Sequence, residues 1–453
     1  MSNNNQYNIL DLSNEILFII FNKLNTIDVL YSLVDITQRF NQLVFDPFYI
    51  RNLNMTSLTM KSFYDRIYSI DNQVLDRICK NILPRISHQI NELILEQYSM
   101  ERVLHTNNYP QLYSITLMDF SDEALFNYLT NNTILRKLLN EQITCLTIDV
   151  KNKPTEPFSE TLWKKLPKLK HFSLISYPHT FLYDNLIIPL LQRMINLEEL
   201  ILHLSIIRSN KNYIDGIQLY DDILIYLPRL NKFTFNIYTN VDKKNVGIVF
   251  SSNEDIQRSF KRKEYGSVAS HIEIFTRENQ DKCHNYSLPY EFKSRCHIYS
   301  LPHQFRTYHF LNNSFQGGIF VNVQSLVMTD FCPFEHNFFK IISQSFPLLK
   351  KMDIMNKEPQ KDKQKSLSLI KFSYLIYLDL QSAHADYAEQ FLVDKYCHLP
   401  CLLNLNIHYE SLVLVTNNFT NDATRLTCSK LTSLRINEPF VPPKNFYQYF
   451  PLL

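Results

Sequence analysis

Cysteine and histidine stand next to each other at several points of the chain, and both side chains are ligands that zinc prefers. The pairs are Cys283-His284, Cys296-His297 and Cys397-His398, the last with Cys401 close behind. None of these groups has C-x-x-C spacing, and adjacent side chains rarely aim at one ion. The residues therefore predict free core cysteines and surface histidines, and no metal site.

Phosphate-binding loops and nucleophile elbows need glycine where the backbone turns tightly against a ligand. The 453 residues include five glycines, against a usual share of about 7%. The motifs G-x-G-x-x-G, G-x-x-x-x-G-K, G-x-S-x-G and H-E-x-x-H are all missing from the sequence. An enzyme on an α/β fold would require a convergent polar cluster, which the sequence does not indicate. We therefore expect a non-catalytic protein without a cofactor.

Charge is nearly balanced, with 46 basic and 44 acidic residues and a net charge of +2. This balance does not favour nucleic acid or an anionic membrane as a partner. The first residues, MSNNNQYN, lack the pattern of a signal peptide, and no apolar run approaches the roughly 20 residues of a membrane span. These features predict a cytoplasmic or nuclear protein whose eight cysteines are reduced.

A six-residue pattern, apolar at its first, fourth and sixth positions, recurs along most of the chain. Its copies are Ile90/Leu93/Leu95, Leu112/Ile115/Leu117, Ile143/Leu146/Ile148, Leu169/Phe172/Leu174, Leu197/Leu200/Leu202, Leu230/Phe233/Phe235, Val323/Leu326/Met328, Leu349/Met352/Ile354, Leu375/Leu378/Leu380, Leu402/Leu405/Ile407 and Leu431/Leu434/Ile436. In five copies a proline stands two residues earlier, at Pro110, Pro167, Pro228, Pro347 and Pro400. Proline ends a preceding helix and favours an extended backbone, so each copy predicts the start of a strand.

Helical patterns occupy the segments between these strands, for example residues 122–139 and 335–346. A single helix-strand unit cannot bury its apolar face, whereas stacked copies can. The pattern resembles leucine-rich repeats and implies an α/β fold, a horseshoe-like solenoid spanning residues 54–453. The alternative is an ordinary βαβ sheet whose amphipathic strands match the pattern singly.

Two stretches depart from the repeat. Residues 236–322 contain two degenerate matches, Ala269/Ile272/Ile274 and Phe305/Tyr308/Phe310, which predict two diverged repeats with loop insertions. Residues 357–365, KEPQKDKQK, predict an exposed loop.

The residue between the fourth and sixth positions of each copy should point to the concave face of such a solenoid. Near the end of the chain these residues are Asp353, Asp379, Asn406 and Arg435. The two aspartates, on consecutive copies, predict a site for a basic protein substrate. The alternative is a solvated charged face.

Residues 7–53 have helical periodicity and follow a polar tail, residues 1–6, which we expect to be disordered. Ser13 is a predicted N-cap, with Glu15 in the first turn of the helix. A three-helix unit this small cannot bury all of its apolar positions, and the surplus predicts a surface for a partner. The alternative is that these helices only cap the first repeat.

This stretch resembles the F-box, whose pattern is L-P-x-E-I-L-x-x-I-F-x-x-L followed by a second and a third helix. Here the pattern is carried by Leu12, Glu15, Ile16, Leu17, Ile20, Phe21, Leu24, Asp28, Leu30, Leu33, Arg39 and Phe40. Ser13 replaces the usual proline and Phe40 a frequent tryptophan. The resemblance implies a Skp-type adaptor bound by Leu12, Ile16, Ile20, Phe21, Leu24, Leu30, Leu33 and Phe40, and through that adaptor a cullin ligase.

The whole chain resembles F-box proteins in which a leucine-rich solenoid is the substrate receptor. The resemblance implies a non-catalytic subunit of a Skp-cullin-F-box ubiquitin ligase, which holds an unknown protein substrate near a conjugating enzyme and so raises its effective concentration. The alternative is a repeat-based scaffold whose F-box does not recruit a ligase. The serine at position 13 is the main support for that alternative.

Overall fold

The chain folds into a mixed α/β structure of two compact units. The computed structural model describes residues 9–56, 58–60, 66–68, 70–130, 133–150, 165–181, 183–209, 211–242, 250–274, 292–362, 368–436 and 439–453. The first unit comprises residues 1–275 and 288–300, and the second comprises residues 276–287 and 301–453. The tail expected at residues 1–6 and the pair Cys283-His284 lie outside the described residues.

The strands of the first unit form a main sheet and a separate antiparallel pair. Its strands are β1 (Asn52–Met55), β2 (Leu58–Met60), β3 (Arg66–Tyr68), β4 (Glu92–Glu96), β5 (Ser114–Phe120), β6 (Cys145–Val150), β7 (His171–Thr180), β8 (Glu199–Arg208), β9 (Lys232–Asp242), β10 (Ser267–Ile274) and β11 (Phe292–Leu301). Within the described residues the main sheet has the order β1-β4-β5-β6-β7-β8-β9-β11-β10, and β2 and β3 form a separate antiparallel pair. The strands from β1 to β9 in this sheet pair in parallel.

Helices and short turns connect these strands. The helices are α1 (Asn14–Phe21), α2 (Thr26–Leu33), α3 (Gln38–Val44), α4 (Pro47–Ile50), α5 (Asn72–Arg77), α6 (Leu83–Ile86), α7 (Gln97–Thr106), α8 (Asp122–Thr130), α9 (Ile134–Glu141), α10 (Ile188–Leu191), α11 (Gly216–Asp222) and α12 (Asn253–Ser259). Side-chain caps mark where several of them begin. Asn25 Oδ1 accepts from Ile27 N at 2.9 Å at the start of α2, and Thr37 Oγ1 accepts from Phe40 N at 3.1 Å at the start of α3, which satisfies backbone donors that a helix leaves unpaired.

The predicted strands occur at the predicted positions, and the fourth residues of successive copies align. Leu93 pairs with Ile115, Ile115 with Leu146, and Leu146 with Phe172; the alignment continues through Leu200 to Phe233. All of these residues are buried. Equivalent residues of neighbouring copies are paired directly, without an offset in register. The apolar side chains of each copy therefore contact those of the next copy on one face of the sheet.

One strand was missed by the sequence analysis. β1 pairs in register with β4, with Leu53 opposite Leu93 and Met55 opposite Leu95. Ile50, Leu53 and Met55 are buried and form a further copy of the repeat pattern. The expected domain boundary after residue 53 therefore falls inside a strand, and the chain divides near residue 300 instead.

The N-terminal helices also share one hydrophobic core with these strands. The buried residues Leu17 of α1, Leu30 of α2 and Phe40 of α3 belong to the same apolar cluster as Leu53 and Leu93. Their burial explains why the helices do not form a separate compact unit.

Residues 236–322 differ from the two stacked repeats that we expected. The first degenerate match lies in β10, which pairs with β11, and β11 runs antiparallel to β9. The second match is closer to the prediction, because Tyr308 pairs with Leu326 in a parallel ladder. A register shift then places Leu311 opposite Met328, and Phe310 takes a positive φ of 55°. The predicted sixth position, Phe310, is therefore off by one residue.

The second unit contains a wholly parallel main sheet. Its strands are β12 (Thr307–Leu311), β13 (Ser325–Thr329), β14 (Lys351–Asn356), β15 (Ile370–Lys371), β16 (Tyr377–Ala383), β17 (Cys397–His398), β18 (Asn404–Asn406) and β19 (Ser433–Arg435). Its helices are α13 (His336–Ser345), α14 (Ala385–Leu392), α15 (Tyr409–Val415), α16 (Arg425–Cys428) and α17 (Phe446–Tyr449). Within the described residues the sheet order is β12-β13-β14-β16-β18-β19, with β15 and β17 paired separately.

The repeat register holds in this unit too. Leu326 pairs with Met352, Met352 with Leu378, and Leu378 with Leu405, and all four side chains are buried. The five prolines at the start of predicted copies all lie in turns that precede a strand. In the described part of the chain, the proline and the apolar pattern together located these strands correctly.

The loop expected at residues 357–365 is more ordered than the charges suggest. Gln360 is buried; its Nε2 donates to Phe334 O at 2.8 Å, and its backbone N donates to Asp386 Oδ2 at 2.8 Å. The prediction of a wholly exposed loop is therefore wrong at Gln360. Residues 363–365 lie outside the described residues.

Candidate partner-binding surfaces

One face of α1 leaves aliphatic side chains in solvent. Ile16 is 45% exposed and Ile19 is 57% exposed, and Ile20 is half-buried at the rim of the core. These three residues, three and four positions apart, are neighbours on one side of the helix, and we call them the helix 1 face. The opposite side of α1, with Leu17 and Phe21, is buried. The helix therefore contributes to the core with one side and keeps an aliphatic surface on the other.

The eight residues expected to contact an adaptor divide into three groups. Ile16 and Leu24 are exposed, and Leu12, Ile20 and Leu33 are partly buried against the core. Phe21, Leu30 and Phe40 are buried in the core. These last three are a correction to the predicted set, because a side chain without solvent contact cannot be the outer surface of a docking site.

Some residues outside the predicted contact set are more exposed than most of its members. Ile19, Ile9 and Ile36 are exposed aliphatic side chains of the same module. Ile19 follows the helical spacing of Ile16 and Ile20, so its position was readable. Periodicity could not say which side of α1 is buried, because the sequence NEILFIIF is apolar almost all round.

The start of α1 has the backbone geometry that a proline would impose. Ser13 is the N-cap residue, with φ −66° and ψ 161°; a proline ring holds φ near −65°. The Ser13 side chain does not cap the backbone of α1. Instead, its hydrogen bond to the Glu15 carboxylate lowers the pKa of that group, with smaller contributions from the Glu15 backbone N–H and the Arg39 charge. The carboxylate is thus kept ionised at the helix N-terminus, where a negative charge is favourable.

Arg39 of α3 holds the segment that leads into α1. Its Nη1 donates to Leu10 O and its Nη2 to Leu12 O, each at 2.6 Å. Its Nε and Nη2 donate to Asn14 Oδ1 at 2.9 and 2.8 Å. A planar guanidinium can serve acceptors on several residues at once, so one side chain sets the path of residues 10–14 and with it the direction of the helix 1 face.

Replacing Arg39 with lysine is expected to loosen this segment, although the charge is kept. A lysine ammonium cannot reach all of these acceptors, and the lost bonds should cost about 1–3 kcal/mol of local stability. Amide hydrogen exchange at Leu12 to Leu17 should accelerate accordingly. Arg102→Lys is the matched control, because Arg102 makes an exposed ion pair with Asp76 at 2.8 Å and such pairs contribute little. Equal exchange in the two variants would contradict the role given to Arg39.

A second surface follows one face of the sheet in the second unit. Asp353 pairs with Asp379, Asp379 with Asn406, and Asn406 with Arg435 in consecutive parallel ladders. These four residues, which we call the polar row, are the ones predicted for substrate binding. Exposure varies along the row: Asp353 and Asn406 are buried, Asp379 is half-buried and Arg435 is exposed.

Asp379 organises the centre of the polar row. Its Oδ2 accepts from Asn406 Nδ2 at 2.8 Å and from Tyr377 Oη at 3.2 Å. Its Oδ1 accepts from the backbone N of Gln381 at 3.0 Å. Both oxygens of Asp379 therefore have donors, and the Asn406 amide is fixed with its nitrogen towards the carboxylate.

Asp353 has a different environment. It is 8% exposed, and its Oδ2 lies 3.6 Å from Lys351 Nζ. Burial raises the pKa of its carboxyl to about 7; the Asp379 charge acts in the same direction, and Lys351 opposes both. Its Oδ1 has no hydrogen-bond partner among the described residues. The carboxylate is thus poorly compensated for the loss of water.

Three further residues complete this surface and were not predicted. Lys351 and Tyr377 lie two positions before Asp353 and Asp379, on the same side of the sheet. Gln381 follows Asp379 where the register of β16 shifts against β14, and its Nε2 lies 3.3 Å from His408 Nδ1. Lys351 Nζ lies 4.6 Å from the centroid of the Tyr377 ring. Lys351 and Tyr377 were readable from the sequence, because each lies two positions before the middle residue of its copy and side chains alternate along a strand.

The cysteines and histidines give no metal centre within the described ranges. No group of three or more His, Cys, Asp or Glu side chains there is placed to hold a metal ion. Cys296 and Cys397 are buried thiols, and burial raises the pKa of each well above its ordinary value. His297 is buried beside Asn236, against the prediction of a surface histidine, with 2.5 Å between His297 Nε2 and Asn236 Oδ1.

In the part of the chain that the structure describes, no helix has both the length and the apolar character needed to cross a lipid bilayer.

No protein-family model matches the chain, and no curated protein matches it in sequence.

Proposed function

We propose that this chain is the non-catalytic substrate-recognition subunit of a Skp-cullin-F-box ubiquitin ligase. In this proposal the N-terminal helices bind a Skp-type adaptor and the parallel strand series, taken as leucine-rich repeats, binds the protein to be ubiquitinated. Such a subunit would act in the cytoplasm or the nucleus. The in-register alignment of the predicted copies supports the repeat assignment.

The observation that carries the proposal is the helix 1 face. Ile16 and Ile19 are exposed, whereas Leu17 and Phe21 of the same helix are buried in the core. Contiguous exposed aliphatic side chains are a common sign of a protein interface. The F-box resemblance places the adaptor at this same helix, so an independent structural feature and the sequence pattern point to one surface.

The geometry at Ser13 also bears on the rival scaffold function. That rival rested on the loss of the usual proline. Because Ser13 keeps a φ of −66°, the serine retains the backbone path that a proline would enforce, and the helix start is not distorted. This favours the ligase subunit over the scaffold.

The test is capture of a purified recombinant Skp-type adaptor by the full-length chain. We expect wild-type protein to bind and the double substitution of Ile16 and Ile19 by aspartate to reduce binding at least about a hundredfold, since two charges would be buried in an apolar interface. Ile217→Asp is the control, because Ile217 is an exposed isoleucine, 62% exposed, on another helix of the same unit.

Both variants should keep the wild-type circular dichroism spectrum, since the substituted side chains are exposed. Absence of adaptor binding by the folded wild-type chain would reject the ligase function and leave the scaffold. Equal loss in the control and the double variant would show that the helix 1 face is not the docking site.

A further inference from the structure

Three buried acceptor atoms, two in the polar row and one on the nearby Gln381, have no hydrogen-bond donor among the described residues. Asp353 Oδ1, Asn406 Oδ1 and Gln381 Oε1 are each buried atoms without a hydrogen-bond partner in the described structure. The identity of the Asn406 oxygen is fixed by its nitrogen, which donates to Asp379 Oδ2 at 2.8 Å. Gln381 Nε2 lies 3.3 Å from His408 Nδ1, which leaves its oxygen as the unpaired atom.

Buried acceptors without donors are costly, and a native structure keeps few of them. Asp353 and Asn406 are aligned on one face of the sheet through Asp379, and Gln381 follows Asp379 on β16. A bound group with several N–H donors would satisfy these acceptors together. One of the three acceptors, Asp353 Oδ1, belongs to a carboxylate that is more than nine-tenths buried. The bound group should therefore carry a positive charge. The internal cation, Lys351, lies on the Oδ2 side of this carboxylate and leaves Oδ1 available.

We infer that the polar row binds the guanidinium group of an arginine side chain, which deepens the proposed function by naming the kind of residue that the substrate presents. The acceptors belong to β14, β16 and β18, which lie at successive strand spacings of about 4.8 Å. A guanidinium directs five N–H groups outward in one plane, whereas an ammonium directs three from a single atom. Acceptors on separate strands therefore suit arginine better than lysine.

Asp379 acts in this site as a positioning residue. It receives donors from Tyr377, Asn406 and the Gln381 backbone, so it holds the Asn406 amide with its oxygen free and presents no unpaired oxygen of its own. Asp379 and Gln381 are half-buried, so a bound side chain would enter the row beside these two residues.

The test measures binding of N-acetyl-arginine amide to the full-length chain by saturation-transfer NMR. N-acetyl-citrulline amide, a neutral analogue of nearly the same shape, and N-acetyl-lysine amide are the comparison ligands. We expect the arginine compound to bind at least about tenfold more tightly than citrulline, because charge-assisted bonds to a buried carboxylate are strong. Asp353→Asn should reduce binding of the arginine compound to the citrulline level.

Two further variants keep the result interpretable. Gln381→Met removes one acceptor without touching the carboxylate and should weaken arginine binding about threefold or more. Asp422→Asn removes an equal charge at an exposed position, 88% exposed at the side chain, and should leave binding unchanged. Equal binding of all three ligands, or arginine binding retained by Asp353→Asn, would overturn the inference.

Adaptor capture by the same variants separates the two proposals. The variants of the second unit should capture the adaptor as the wild type does, and a wild-type circular dichroism spectrum shows that they are folded. Arginine binding without any adaptor capture would reject the ligase function and keep this site, whereas adaptor capture without arginine binding would do the reverse.

Discussion

Truncating Phe40 to alanine should lower the free energy of unfolding of the first unit by about 3–5 kcal/mol, the range for a buried phenylalanine. Phe40 is 4% exposed and meets Phe21 edge-to-face, with ring centroids 6.1 Å apart. Its removal leaves a cavity at the junction of α1 and α3. Urea unfolding combined with hydrogen exchange at α1, α2 and α3 measures the effect.

Ile19→Ala is the comparison for this prediction. Because Ile19 is exposed, its truncation should change the unfolding free energy by less than about 0.5 kcal/mol and yet weaken adaptor binding. The two residues thus predict opposite outcomes, stability lost at Phe40 and binding lost at Ile19. A Phe40→Ala protein of wild-type stability that no longer captures the adaptor would return Phe40 to the contact surface.

Stability of the second unit should depend on pH through Asp353. The unfolded carboxyl ionises near its ordinary pKa of 3.8, but the folded one keeps its proton up to about pH 7. The folded chain therefore binds more protons between these values, and the unfolding free energy should fall as pH rises from about 4 to 7 and then level off. At about 1.4 kcal/mol per pKa unit, the difference between a pKa of 3.8 and one of about 7 corresponds to a fall of roughly 4 kcal/mol.

Asp353→Asn has no such proton to lose, so its unfolding free energy should fall by roughly 4 kcal/mol less over the same pH range. Comparing the change with pH in the two proteins cancels the constant effect of removing the partner of Lys351. Hydrogen exchange of β13, β14 and β16 at pH 5 and pH 8 reports on this unit. Parallel pH profiles for wild type and variant would show that the Asp353 carboxyl is not perturbed.

The strands and their register could be predicted from the sequence, because the apolar pattern repeats with the alternation of side chains along a strand. Leu378 and its equivalents were placed in strands, and in register, because alternation along a strand and a proline two residues ahead of the unit are both local signals. β1 was not predicted, because Ile50, the first residue of its copy, ends a helix. The F-box resemblance also put the predicted domain boundary after residue 53, inside this strand.

Other features depend on contacts between distant parts of the chain. The antiparallel pairing of β11 with β9 joins residues about sixty positions apart, and no periodicity encodes such a pairing. Likewise, the helix pattern named Phe40 and Ile16 as apolar but could not tell which of them faces the core. Asp353 was recognised as a candidate, while its burial and unpaired oxygen became visible only with the neighbouring strands in place.

The N-terminal helices are hydrogen-bonded to Thr56, which follows β1, and to the helices α5 and α6. Asn25 Nδ2 donates to Thr56 O at 3.4 Å, Arg77 Nη2 donates to Val34 O at 3.3 Å, and Arg85 pairs with Asp35 at 2.9 Å. A protein docked on α1 would therefore have a fixed orientation relative to β1 and β4. That orientation would be set by these contacts and not by rotation about a hinge between α1 and the strands.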